Sequence, residues 1–272
     1  MNNSSKKISA LKMKQYKTGE GRLVPLVAIT AYDYTSAKLF DELVDIVLVG
    51  DSLGMVIQGS SNTLSVTMDE MVYHTRAVSR ALKSAHLVAD MPFMSYQVSV
   101  KDAIRNAGRL LSEGGAESVK LEGGISVAST IEKLVVSGIP VMGHIGLTPQ
   151  SVHAFGGYKI QGKTISTGEA ILQDALTLEE SGVYAVVLEG IPSELAKIIT
   201  ERIKIPPIGI GAGPACDGQI LVSQDLLGMN PGFKPKFLRT YSNAFETVQG
   251  AINAYDRDVK AGKFPAENES YS

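Results

Sequence analysis

Residues 118–146 read SVKLEGGISVASTIEKLVVSGIPVMGHIG, where two short β-rich runs, SVKLEGG (118–124) and IPVMGHIG (139–146), flank an amphipathic stretch. Strand, crossover and second strand make the repeating unit of a parallel sheet. The same alternation extends both ways along the chain. Upstream lie LVAITAYD (26–33), DIVLVGDS (45–52) and HLVADMPF (86–93); downstream lie YAVVLEG (184–190), PPIGIGAG (206–213) and GQILVSQDLLG (218–228). Eight such strands predict an α/β fold, a single (β/α)8 TIM barrel.

The crossovers carry helix signals with a physical cause. Thr67 followed by Glu70 reads as a capping box, in which each residue satisfies an unpaired N-terminal NH of the other, and Ser166 with Glu169 repeats the pattern. After Ser99, Ala103, Ile104, Ala107, Leu110 and Leu111 recur at a period near 3.6 until Gly114 and Gly115 stop them. Ser193 opens ELAKIITERI after Pro192, and a closing helix is expected from about Tyr241 to Ala261. The stretch 144–167 has little periodicity and reads as a large loop after the fifth strand, where barrel enzymes place lids. No Pro/Gly/Ser linker or repeat divides the 272 residues, so one catalytic domain spanning 1–272, with short polar tails, is expected.

Hydrophobic residues make up 44% of the chain and charged residues 20%, a globular balance. A net charge of −2 without a long basic run argues against nucleic-acid and anionic-membrane partners and favours small molecules. Cys216 is the only cysteine, which rules out an intrachain disulfide and suits a reducing, cytoplasmic compartment. The polar start MNNSSKK lacks the apolar core of a secretory signal, and no run reaches bilayer-spanning length.

In a barrel the ligand site lies at the C-terminal ends of the strands. Polar residues collect there: Asp51 ends the second strand, Asp90 the third, Lys120 and Glu122 the fourth, His144 the fifth and Glu189 the sixth. Each abuts an apolar run, where an unpaired charge is costly, so the group is expected to face itself, a metal or solvent. Residues two apart share a face of a strand, which pairs Lys120 with Glu122 and places Asp51 with Val47 and Val49, both sets able to point inward. Oxygen ligands with few histidines favour Mg²⁺ over Zn²⁺. Bland readings stand beside these: Asp51 and Asp90 as turn residues, Lys120 with Glu122 as a structural ion pair, His144 as a hydrogen-bonded loop histidine and Glu189 as a cap for the next helix. GIGAG (209–213) looks like a phosphate cradle but reads better as a tight turn, and Cys216 reads as a packed thiol.

The segments ITAYDYTSAKLFDE, VLVGDSLGMVIQG, VTMDEMVYHTRAV, ADMPFMSY, VKLEGG, GHIGLTPQSVHAFGGYKIQG, VLEGIPSELAKIIT and IGIGAGPACDGQILVSQDLLGM resemble, in order and spacing, the ketopantoate hydroxymethyltransferase family. The similarity runs from about residue 8 to about residue 265. It implies a Mg²⁺-dependent TIM barrel that transfers the carbon of 5,10-methylenetetrahydrofolate to 3-methyl-2-oxobutanoate in pantothenate biosynthesis, assembled as a homodecamer. By matched motif, Asp51 and Asp90 resemble the direct metal ligands and also border the substrate, and Glu122 resembles the acidic residue assigned to the metal, directly or through water. Ser52 would contact the substrate carboxylate, Lys120 would bind the substrate, His144 would line the pocket and Glu189 resembles the proton acceptor. Departures from the family pattern fall at Ser60, Ser61, Asn62 and Ser65, in ACDG after GIGAGP and in the tail ENESYS. They bear on the entrance loops rather than on the strand-end residues. Rival readings are the phosphonopyruvate and isocitrate-lyase group of Mg²⁺ barrels, and a non-catalytic barrel that only binds oxo acids.

Overall fold

A computed structural model describes residues 7–17, 24–232 and 234–271. Eight parallel strands close into a barrel in chain order: β1 (Leu26–Thr30), β2 (Ile46–Val49), β3 (His86–Asp90), β4 (Ser118–Glu122), β5 (Val141–Gly146), β6 (Ala185–Glu189), β7 (Pro207–Ile210) and β8 (Gly218–Leu221). All eight lie within the runs expected from sequence. The last run is cut short, because Ser223–Leu226 turns into helix instead of continuing the strand.

The crossover helices begin where capping chemistry permits. At Thr67 the backbone NH donates to Glu70 Oε2 at 2.7 Å, and the Glu70 NH donates to Thr67 Oγ1 at 3.3 Å, opening the helix Met68–Ser79. Ser99 caps Val100–Ser112 by accepting from the Asp102 NH at 3.1 Å. The Ser166/Glu169 reading is corrected: helix Ile165–Glu180 starts earlier, with Thr164 as cap and Thr167 as its reciprocal partner. Thr164 and Ser166 both offer a capping hydroxyl, and the structure uses Thr164. The stretch 144–167 also holds more order than a loop, since β5 runs to Gly146 and short helical turns cover Pro149–Ser151 and Val152–Phe155.

Register fixes which side chains share the barrel interior. Ala28 pairs with Ile46, Leu48 with Val88, Lys120 with Met142 and His144 with Val187. Ala28, Ile46, Leu48, Val88, Met142, Ala185, Val187, Ile208 and Ile220 form one apolar cluster. The opposite face meets the helices, as where Leu178 packs against the Gly143 backbone. Val47 and Val49 therefore face outward, and the expectation that they share an inward face with Asp51 is corrected: Asp51 lies past the end of β2 and reaches the mouth through the turn at Gly50.

The N-terminal end of the barrel is stoppered by the helix Ala10–Met13, whose Met13 is fully buried in the same cluster. Beside it Lys17 Nζ pairs with Asp217 Oδ2 at 2.6 Å and donates to the Thr200 carbonyl at 2.8 Å. His86 Nε2, Ser118 Oγ and Tyr184 OH form a buried chain with steps of 2.9 and 2.8 Å.

The chain divides into two compact units at Val222/Ser223, where the sequence offers no linker or shift in composition. The first carries the barrel. The second holds the helix Ala244–Lys260, in which no residue is buried; Val248, Ile252 and Tyr255 expose an apolar stripe at helical spacing. No helix among the described residues is long and apolar enough to cross a membrane.

Candidate active site

The strand ends deliver the sequence candidates to one place. Asp90 and Lys120 are register neighbours, as are Glu122 and His144, and Gly146 and Glu189. These residues continue the interior face toward the mouth. Gly146 permits this approach: a Cβ there would lie 2.3 Å from the Glu189 carbonyl oxygen, and its φ of +95° suits glycine.

Lys120 Nζ lies 2.8 Å from Asp90 Oδ1, so its ion pair is with Asp90 rather than with Glu122 as in the structural-pair reading. Asp90 Oδ2 accepts from the Asp51 backbone NH at 3.1 Å, which joins the end of β2 to that of β3. His144 Nε2 is 3.2 Å from Glu189 Oε2, while Nδ1 is 3.4 Å from Glu122 Oε1 and 3.2 Å from Lys120 Nζ. Ser52 Oγ shares a 2.8 Å hydrogen bond with Tyr32 OH.

The electrostatics follow from burial and sign. Burial and Lys120 disfavour a charged His144, yet its contacts with Glu122 and Glu189 prevail and its pKa rises to about 9. A charged ring directs both NH groups at carboxylates, so the Lys120 approach is a like-charge juxtaposition and not a hydrogen bond. Burial opposes the Lys120 charge as well, but Asp90, Glu122 and Asp51 hold its pKa above the usual lysine range. Burial, followed by repulsion from Asp90 and Glu122, pushes Asp51 up to about 8. Asp90 is raised too, chiefly by burial, with Lys120 working against the shift.

Four carboxylates thus face one lysine and one histidine, and the cluster is short of positive charge whatever state the imidazole takes. A hard divalent cation beside Asp51 and Asp90 fits this donor set. Among the described residues no three His, Cys, Asp or Glu side chains converge as a ready-made cage.

Three residues singled out by no sequence argument belong to the site. Gln150, on the turn after β5, donates from Nε2 to Asp51 Oδ2 at 2.9 Å. Tyr96 donates to Gln150 Oε1 at 2.7 Å, and Tyr32 holds Ser52. Their polar atoms lie in loops or follow strand ends without a charge to mark them, and only the folded contacts identify them. GIGAG runs from the end of β7 into a turn in which Gly213, at φ +82°, packs against Ser193, and burial pushes the Cys216 thiol up to about 11.

Known proteins bear directly on this arrangement. The sequence pattern of the ketopantoate hydroxymethyltransferase family matches residues 7–267. The 3-methyl-2-oxobutanoate hydroxymethyltransferase of Clostridium beijerinckii is 53% identical over 266 residues, covering 97% of this chain and 96% of that one. The enzyme of the same name from Clostridium kluyveri is 57% identical over 247 residues, covering 90% and 88%. Among solved structures, phosphonopyruvate hydrolase in complex with oxalate and Mg²⁺ superposes with a TM-score of 0.61 at 13% identity, covering 97% of this chain and 92% of that one. A 2,3-dimethylmalate lyase of the PEP mutase/isocitrate lyase superfamily gives 0.59 at 17% identity, covering 96% and 99%. Those two likenesses establish the barrel alone. The sequence relationship goes further, and the chain belongs to the ketopantoate hydroxymethyltransferase family of transferases.

Proposed function

We propose that this enzyme transfers a hydroxymethyl group from 5,10-methylenetetrahydrofolate to 3-methyl-2-oxobutanoate, giving 2-dehydropantoate at the start of pantothenate biosynthesis. The observation that carries the reading is the single interior face on which Asp90, Lys120, Glu122, His144 and Glu189 meet, with Asp51 tied to Asp90.

Asp51 and Asp90 would hold Mg²⁺, with Glu122 reaching it directly or through water. Bound there, the ion supplies Lewis-acid polarisation of a 2-oxo acid. Ser52, steadied by Tyr32, donates to the substrate carboxylate, and Lys120 adds preorganised positive charge where negative charge develops on oxygen. Glu189 is the base. Its side chain is 22% exposed, against 3% for His144 behind it, so it reaches into the mouth while the imidazole orients its carboxylate. Glu189 takes the C3 proton, and the C–H electron pair becomes the C2–C3 double bond of the enolate. Enolate carbon and water oxygen then replace the two folate nitrogens on the methylene carbon. The enolate pair forms the C–C bond as one C–N bond breaks, and water forms the C–O bond as the other breaks. The C3 proton and one proton of the water end on the two nitrogens.

The apolar stripe on Ala244–Lys260 supports a homo-oligomer, a decamer by family resemblance, and the lone buried Cys216 suits the cytoplasm. Proton NMR of 3-methyl-2-oxobutanoate with the folate donor tests the reaction. Product should form with Mg²⁺, stop with EDTA and resume when Mg²⁺ is restored. Cleavage of a dicarboxylate with no turnover of 3-methyl-2-oxobutanoate would replace this reading with a lyase.

A further inference from the structure

Gln150 is buried, and every hydrogen-bonding position of its amide is used. Nε2 donates to Asp51 Oδ2 and to the Met91 carbonyl, both at 2.9 Å. Oε1 accepts from Tyr96 OH at 2.7 Å and from Gln97 Nε2 at 3.2 Å. Its backbone NH donates to Glu122 Oε2 at 3.0 Å. A flipped amide would set Oε1 against a carboxylate and a carbonyl while turning NH₂ toward the groups that now donate to Oε1. The orientation is therefore over-determined.

Tyr96 supplies the lock. Its hydroxyl accepts from the Glu122 backbone NH at 3.1 Å, and its single proton serves Gln150 Oε1 in preference to the Glu122 carbonyl at 3.1 Å. Gln150, on the segment after β5, thus spans the ends of β2, β3 and β4. Its side-chain amide holds Asp51 and its backbone NH holds Glu122, two carboxylates with no direct link to each other in the hydrogen-bond network.

We infer that Gln150, oriented by Tyr96, is the positioning residue that fixes the carboxylate of Asp51 and ties Glu122 to it, so that the pair meets a divalent cation and the 2-oxo acid in one geometry. This rests on the reading of Asp51 as a cation ligand. An outer partner of this kind is worth about 10–100-fold in metal affinity or activity. The amide touches no reacting atom, so its removal acts through Asp51, while the backbone NH that holds Glu122 is retained.

Mn²⁺ titration followed by electron paramagnetic resonance, with kcat and KM for 3-methyl-2-oxobutanoate, tests this on the full-length protein. Gln150→Leu should weaken Mn²⁺ binding and lower kcat by about 10–100-fold each. Tyr96→Phe, which keeps the Gln150 amide but removes its donor at Oε1 together with the acceptor of the Glu122 backbone NH, should show a smaller loss in both. The double variant should be no worse than Gln150→Leu, since the two act as a unit. A folded Gln150→Leu with wild-type Mn²⁺ affinity and kcat overturns the assignment. Should that variant fail to fold, Tyr96→Phe decides: joint loss supports the proposal and unchanged values overturn it. Wild-type protein that binds no Mn²⁺ overturns the cation reading itself, and with it the role of Gln150, before any substitution is made.

Discussion

The two ends of the barrel both bury polar groups, and they do so in opposite ways. At the N-terminal end complementary groups pair: Lys17 with Asp217, and His86, Ser118 and Tyr184 in a linear hydrogen-bonded chain. At the C-terminal end four carboxylates crowd around Lys120 and His144; burial pushes Asp51 and Asp90 up, and repulsion from neighbouring carboxylates adds to the shift. Burial of polar groups does not by itself mark a site. Imbalance does, because a stable fold has no use for like charges held together out of water unless something else occupies the space between them.

The contrast can be broken by substitution. Asp51→Asn removes one of the crowded charges. Activity should fall by at least about 100-fold, the order expected when a metal ligand or charge-stabilising group is lost. The melting temperature measured without metal should hold or rise, because a repulsion goes too. A large drop in stability would make the rim as structural as the floor.

The floor responds to pH instead. Burial holds His86 down at about 4, with Lys7 acting in the same direction and Glu117 against it. Its unfolded value is near 6.5, so the unfolded chain binds the extra proton between pH 6.5 and 4. The neutral His86 contribution is complete above the unfolded value and is lost as pH falls through this window, up to about 3 kcal/mol. Chemical denaturation at a series of pH values should show wild type losing more stability than His86→Gln across that range. Equal slopes would mean that the floor leaves His86 as free to protonate as the unfolded chain.

Lys17→Met should have the smallest effect. It removes the Lys17 charge from beside buried Asp217, yet Lys17 is 30% exposed and water softens the loss, which should be at most about 2 kcal/mol with kcat unchanged. A fall in kcat larger than the fall in folded fraction would show the two ends to be coupled.

Strand order and most of the site were legible in the chain because both leave periodic traces. An apolar run that ends in a charge announces a strand end at the barrel mouth, and Asp90, Lys120, Glu122, His144 and Glu189 meet there. Asp51 is legible as a strand end, but the inward face it shares by parity with Val47 and Val49 is not, since strand parity cannot be carried past the turn at Gly50. The cap at Thr164 was displaced because two hydroxyl residues near a helix start satisfy the same rule. The division at Val222/Ser223 has no compositional mark. Gln150, Tyr96 and Tyr32 carry no mark in the sequence, because a neutral polar residue in a loop is ordinary until its partners are known.

Hydrogen exchange at C3 of 3-methyl-2-oxobutanoate in deuterated water, with Mg²⁺ and without the folate donor, tests most directly whether the crowded rim is built to remove that proton. Wild-type protein should exchange it. Glu189→Gln should bind the oxo acid but exchange about 10²–10⁴-fold more slowly, and exchange at the wild-type rate in that variant would contradict the account.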